Sequence, residues 1–401
     1  MTGKQILKEA KSLEKELIKN RRWLHAHAET GFALSETKKF VEERLKEMGY
    51  TPEPCGKSGV VVTIGRQKSK NGKAFLLRAD MDGLPIKEET GLDFACTNGN
   101  MHACGHDLHT AALLGAAKLL KMHEDDLNGV IKLLFQPAEE TLEGAADVLK
   151  AGVLRSPEVD GAMMLHVLTD LPLPSGTMIV SKEGVSAPAA DYFSVEVWGK
   201  GCHGSMPQNG VDALMIAAHI LVGTEELSAR ELSAFKPAIL TFGALHAGKA
   251  GNVIADKAVM HGTLRAFDEE VRLKAKKRLK EITEGIASAF RGKANLRFKS
   301  GCPSLLNDGT LSAFVLACAQ ELMGNRAISS SSFAGGDQAG GSEDFAYISR
   351  EVPSVMVALC AGEREKGYAY PLHHPKANFS ESVLPLASAL FAHVALKRFR
   401  G

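Results

Sequence analysis

The stretch Cys104-Gly105-His106-Asp107-Leu108-His109 places a thiol, a carboxyl group and two imidazoles within six residues. Such a set can hold a borderline divalent cation, or it can pair a nucleophilic thiol with a histidine base. Taken alone, the stretch fits either. It reads as the opening of a helix, and a thiol near a helix N-terminus is expected to ionise readily, which suits a metal thiolate. Cys104 and His106 would diverge on one helix, but Gly105 allows a tight turn that lets both face one centre. Asp107 is placed to accept the second N–H of a ligating imidazole.

Other acids and imidazoles fall in a pattern. Asp80 and Asp82 end the run KAFLLRADMD, Glu139-Glu140 follow VIKLLFQP, His166 closes GAMMLHV, and His373-His374 follow PSVMVALCAG by one loop. Any one of these has an ordinary explanation as a solvated or structural residue. Four apolar runs that end in carboxylates or imidazoles are better explained by one site, because open α/β sheets bind ligands outside the carboxyl ends of their strands. That tips the Cys104–His109 stretch toward metal. In Glu139-Glu140, one carboxylate could bind metal while its neighbour carries a proton from bound water to a leaving amine. His25 and His27 flank a helix end and read as structural. His109 reads as packing or as support for the metal loop.

The elements that must position these residues can be read from periodicity. From about 59 to 184, short apolar strands (GVVVTIG, KAFLLRADMD, GVIKLLFQP, GAMMLHV) alternate with helical patterns (HTAALLGAAKLLKMH, GAADVLKAGVL). This predicts an α/β unit with a mixed, largely parallel sheet. Near residue 185 the order becomes β-α-β-β-α-β, with DYFSVEVWGKG as its first strand, VDALMIAAHILVGTEELSAR as its first helix and NLRFKSG as its last strand; this is the split β-α-β pattern. Helix and buried-strand patterns of the first kind return after 300. The expected organisation is a catalytic domain of residues 1–185 and 301–401, with a smaller α+β domain of residues 186–300 inserted as a lid or dimerisation unit. Gly335-Gly336 and Gly340-Gly341 flank an expected flexible loop.

Composition narrows the class. A chain of 401 residues suggests two or three domains at roughly 150 residues each. Basic and acidic residues nearly balance, 48 against 47, so no charge excess points to nucleic acid or an anionic membrane. The N-terminal MTGKQILKEAKSLEKELIKN is an amphipathic helix pattern without the apolar core of a signal peptide, and runs such as AALLGAA are too short to cross a bilayer. A cytoplasmic protein is expected. Seven cysteines, an odd number in a long chain, do not form a disulfide framework.

The chain resembles the M20 peptidase family, in its branch of aminoacylases, hippurate hydrolases and auxin-conjugate hydrolases. The resemblance rests on RRWLHAHAETGF, ADMDGLPI, MHACGHDLHT, FQPAEE, LHV, GKGCHGSMP, GNVIADKA, GTLRAF, GSEDFA and LHHP, in family order from residue 21 to 375. It implies that Cys104, His106, Glu140, His166 and His373 are ligands of two divalent ions (Zn, Mn, Co or Ni), with His374 a possible substitute for His373. It implies that Glu139 is the general base, that Asp82 supports the centre, that His203 stabilises an oxyanion, and that Asn252 and Arg265 position substrate. Glu343, in GSEDF, falls near the metal-side loop. The family usually has His-Pro-Glu where this chain has His27-Ala28-Glu29, and Gly-Gly-His where it has Gly201-Cys202-His203.

The expected activity is hydrolysis of the amide bond of a small N-acyl amino acid, in a homodimer or larger homo-oligomer, with no nucleic-acid or membrane partner. Two alternatives compete: a dipeptidase or carboxypeptidase acting on small peptides, and a metal-binding regulatory protein that has lost catalysis. The second would lack a base or a ligand, and Glu139 and all five ligand positions are present.

Overall fold

The strands Ala74–Asp80 and Val130–Gln136 are buried at every residue, including Arg78, Asp80, Lys132 and Gln136. Strands covered on both faces must be nearly all apolar, which is why these runs do not alternate. A computed structural model describes residues 2–65, 73–332 and 341–399. Gly335, Gly336 and Gly340 lie outside them.

The main sheet runs in the order Glu53–Cys55, Gly59–Gly65, Val130–Gln136, Ala74–Asp80, Val159–Leu168, Ser354–Cys360, Met178–Val180, Ala327–Ser329. Its four central strands, 130–136, 74–80, 159–168 and 354–360, are mutually parallel, and antiparallel pairings flank them. The sheet is therefore mixed, with a parallel centre. Parallel neighbours end on the same edge, so the residues just past each central strand are delivered to one place.

The helices His106–Met122 and Leu384–Arg398 bury residues on all sides, as expected for helices enclosed by others. They approach closely at Gly115, where an added Cβ would lie 2.4 Å from Ser388 Oγ and 2.5 Å from Leu17 Cδ2. Ser388 Oγ then donates to the Ala112 carbonyl at 2.9 Å. Instead of one N-terminal helix there are two, Gly3–Ser12 and Glu14–Ala26, which meet at Leu13.

The chain divides into two compact units, one of residues 1–186, 306–338 and 344–401 and the other of residues 187–305 and 339–343. The smaller unit holds an antiparallel sheet in the order Ala238–Ala247, Lys257–Ala266, Ala189–Trp198, Lys293–Cys302, with helices Ala213–Gly223 and Glu269–Ala289. The first of these helices is shorter than its apolar pattern. It stops at Gly223, where an added Cβ would lie 2.4 Å from Ile286 Cδ1, and Thr224 Oγ1 donates back to the Leu221 carbonyl.

Gly115→Val should cost about 1–3 kcal/mol, the usual penalty for overpacking a close helix crossing. Urea unfolding followed by circular dichroism measures it. An unchanged midpoint would show that the helices separate freely there.

Candidate metal centre

Gly105 adopts φ +85°, and a Cβ there would lie 2.4 Å from Val167 Cγ2. Only glycine accepts both that backbone and that approach. The turn starts the helix at His106 and leaves Cys104 just before it. On the other side, Ala138 adopts φ +56°, and its carbonyl accepts from the Glu143 and Gly144 amides. This loop puts Glu139 and Glu140 at the strand end. Asp82 pins them, its two carboxylate oxygens accepting from the Glu139 and Glu140 amides at 3.0 and 3.2 Å.

These turns gather donors into overlapping groups. The ligand atoms of Cys104, His106 and His166 lie within 4.8 Å of one another, as do those of Cys104, Glu140 and His373, and those of His106, Glu139 and Glu140. Cys104 Sγ is 3.6 Å from His166 Nε2. His373 Nε2 is 3.4 Å from a Glu140 oxygen. His106 Nε2 is 3.7, 3.9 and 3.8 Å from oxygens of Asp80, Glu139 and Glu140. His373, not His374, is the imidazole that faces Glu140; His374 stacks on Tyr370 at 4.5 Å, and its Nδ1 accepts from the Lys376 amide. His373 itself has a left-handed backbone, φ +65°.

Ring orientations are fixed from behind. His106 donates Nδ1–H to the Asp82 carbonyl at 2.8 Å, and His166 donates Nδ1–H to the Val167 carbonyl at 2.7 Å. Each ring is thus engaged at Nδ1 by backbone and turns Nε2 toward the neighbouring donors. His109 accepts from the Val167 amide through Nε2 at 2.9 Å, so it must donate Nδ1–H to Asp80, at 2.6 Å. It thus supports the strand end carrying His166.

Two expectations about the Cys104–His109 stretch are overturned. Burial and the nearby carboxylates of Glu140 and Glu139 push the Cys104 thiol well above its usual range, so desolvation outweighs the helix dipole and only a cation would favour the thiolate. Asp107 does not back a ligating imidazole. It accepts from Arg21 Nε and His25 Nδ1, both at 2.8 Å, and the backing of His106 falls to the Asp82 carbonyl.

The electrostatics favour a cation. Burial alone would lower His106, but Asp80, Asp82 and Glu140 push it up to about 10. Burial would raise Glu140, yet the imidazoles of His373 and His106 hold it below its ordinary value. Burial and the neighbouring His109 ring hold His166 well down, so it is neutral as a ligand must be. His106 Nε2 and Glu140 Oε1 are buried with no hydrogen-bond partner among the described residues. Orphaned atoms of a nitrogen and an oxygen donor, 3.8 Å apart beside a thiol, fit a bound divalent ion.

The motifs gave little notice of what lies beneath. Arg78, 1% exposed, donates to Gln136 Oε1 at 3.0 Å, to Asp80 Oδ2 at 2.7 Å and to Asp344 Oδ1 at 3.0 Å. Asp344 also accepts from Gln136 Nε2 and the Ala145 amide, and its own amide donates to Glu139 Oε1 at 3.4 Å. The available signal was a charged residue inside the apolar run AFLLRAD.

His203, Asn252 and Arg265 belong to the smaller unit. His203 pairs with Val253 in a short two-stranded ribbon, and the Asn252 carbonyl accepts from the Gly204 amide at 2.7 Å. The exposed His203 ring accepts from the Ser205 amide through Nδ1 at 3.1 Å. Arg265, on the strand Lys257–Ala266, donates Nη2–H to Tyr192 at 3.3 Å.

Residues 76–397 match the model of peptidase family M20/M25/M40. The N-acetyl-L-cysteine deacetylase of Bacillus subtilis (strain 168) is 40% identical, over 96% of this chain and 89% of its own length. The thermostable carboxypeptidase 1 of Saccharolobus solfataricus is 33% identical, over 98% of each chain. Among solved structures, the YXEP protein of Bacillus subtilis, a dinuclear metal binding peptidase from the M20 family, superimposes with a TM-score of 0.78 at 32% identity, over 97% of this chain and 99% of that one. With a match spanning most of its length and relatives that align from end to end, the chain belongs to peptidase family M20/M25/M40.

Proposed function

We propose that the protein hydrolyses the amide bond of N-acyl amino acids at a pair of divalent ions held by Cys104, His106, Glu140, His166 and His373. The observation that carries this reading is the shared thiol: Cys104 belongs to both the His106–His166 group and the Glu140–His373 group. A donor common to two groups suits two neighbouring ions, and mixed S, N and O donors suit Zn, Mn, Co or Ni. When bound, such ions bring the pKa of water toward neutrality and polarise the acyl oxygen.

The remaining steps fall to side chains. Glu139 is the general base. It is 5% exposed, and its amide is pinned by Asp82, which acts as a positioning residue. Glu139 takes the proton of the attacking water and returns it to the amide nitrogen as the C–N bond breaks. His203 donates to the developing oxyanion. Because its Nδ1 accepts from Ser205, its neutral ring carries the proton on Nε2, where a donor is needed. The Arg265 guanidinium, with Asn252, binds the carboxylate of the amino acid, a planar group that suits its fork. The deacetylase relative supports acyl amino acids as substrates. The carboxypeptidase relative favours a second reading, hydrolysis of small peptides.

Glu139→Gln should retain its metal while turnover falls about 10²–10⁴-fold, the range for loss of a general base. Unchanged turnover would remove Glu139 from the mechanism. Cys104→Ser should weaken binding at both ions, because the thiol is shared, by more than about tenfold, the low end of the effect of even an outer support. Full occupancy by elemental analysis after dialysis would strike Cys104 from the donor set. In a panel of N-acetyl and N-benzoyl amino acids against dipeptides, kcat/KM should favour the acyl amino acids. Cleavage of peptides alone would establish the second reading.

A further inference from the structure

The strand Val159–Leu168 outruns one of its neighbours at the metal edge. On one side it pairs with Ser354–Cys360 to its last residue, Leu168. On the other it pairs with Ala74–Asp80 only as far as Met164, opposite Arg78. That neighbour turns away: the Met81 amide donates to the Gln136 carbonyl at 2.9 Å, and Asp82 goes on to pin Glu139 and Glu140. Delivering Asp82 thus leaves residues 165–168 with no strand on that side among the described residues. His166 lies in this stretch. A buried amide left unpaired there would be costly, so another group must stand in for the missing strand.

A side chain does so. His109, buried on the helix His106–Met122, accepts from the Val167 amide through Nε2 at 2.9 Å. Its Nδ1–H goes to Asp80 Oδ1 at 2.6 Å, and Arg78 holds Asp80 Oδ2 at 2.7 Å. Thr110, the next residue, donates Oγ1–H to the Asp80 carbonyl at 2.8 Å. Two successive helix residues thus close the end of the shorter strand and the open flank of the longer one. The His109 and His166 rings meet edge to face with centroids 4.6 Å apart. Val167 is where the contacts converge. Its amide is taken by His109 and its carbonyl by His166 Nδ1–H, and its Cγ2 lies 2.4 Å from where a Cβ on Gly105 would be.

We propose that His109 is a positioning residue for one of the two ions. By holding the His166–Val167 peptide in place of a strand, it aims His166 Nε2 at the ion of the Cys104–His106–His166 group. The inference rests on the proposed metal pair. It adds that the pair depends on an imidazole that binds neither ion. The dependence is one-sided, because His109 contacts neither Glu140 nor His373 among the described residues.

Titration of the metal-free full chain with zinc, in competition with a chromophoric chelator, tests this. The wild-type protein should take two ions. In His109→Asn the shorter side chain keeps a donor for Asp80 but does not reach the Val167 amide. It should weaken one ion by about tenfold or more, the low end of the effect of an outer support, and leave the other unchanged. In His109→Gln the carboxamide reaches as far as the imidazole Nε2, and its oxygen can accept from Val167, so both ions should bind as in the wild type. A side chain that merely filled space would not distinguish the two carboxamides. A measurement on the wild-type protein keeps the test decisive if His109→Asn does not fold: histidine 15N NMR should show His109 protonated at Nδ1 and bare at Nε2. The opposite tautomer, unchanged affinity in His109→Asn, weakening of both ions alike, or no recovery in His109→Gln would each overturn the proposal. A wild-type protein that takes no zinc would instead refute the metal pair itself.

Discussion

The guanidinium of Arg78 allows carboxylates to stand at the carboxyl edge of a sheet buried on both faces. Unpaired charges there would be expelled or neutralised, because desolvation of an ion in a protein interior costs several kcal/mol. Arg78 spreads its donors over Gln136, Asp80 and Asp344 and so ties two neighbouring strands to the segment after residue 341. What it holds then holds the rest. Asp80 orients His109, whose other nitrogen takes the Val167 amide beside His166. Asp344 takes the Ala145 amide and touches Glu139 through its own. Glu139, the support of His166 and the sheet thus share one buried network of charges.

A second constraint lies in the backbone. Ala138 and His373, neither of them glycine, adopt left-handed conformations beside Glu139 and at a proposed donor. Such residues persist only where the surroundings over-determine them. At Ala138 the surroundings are visible: Glu143 and Gly144 both donate to its carbonyl, and a Cβ on Gly144 would lie 1.6 Å from the Pro137 oxygen. The loop has no slack, and it holds oxygens of both adjacent carboxylates within 3.9 Å of His106 Nε2.

Much of this was legible in the sequence. Fully apolar runs marked the central strands, and the acids and imidazoles at their ends marked the edge where the donors meet. Gly105 marked the turn. Other features were not legible, each for a physical reason. Arg78 and Asp344 are 266 positions apart, and no local pattern signals a pairing that only the fold creates. The state of the Cys104 thiol was misread because a helix N-terminus can be seen in a sequence, whereas burial among carboxylates cannot. Asp107 was misassigned because adjacency to His106 suggests contact, while the helix turns its carboxylate toward Arg21 and His25. His373 and His374 are chemically equal as text; only the left-handed turn separates them.

The side chain of His373 is 52% exposed, whereas the side chains of His106 and Glu140 are 0% and 9% exposed. The centre is therefore asymmetric in access. His106 and Glu140 are buried where the strands end, whereas His373 sits on a partly exposed turn beyond the strand Ser354–Cys360. The proposed donor set therefore spans two environments: one imidazole stands in reach of water, while another is sealed beneath the sheet edge.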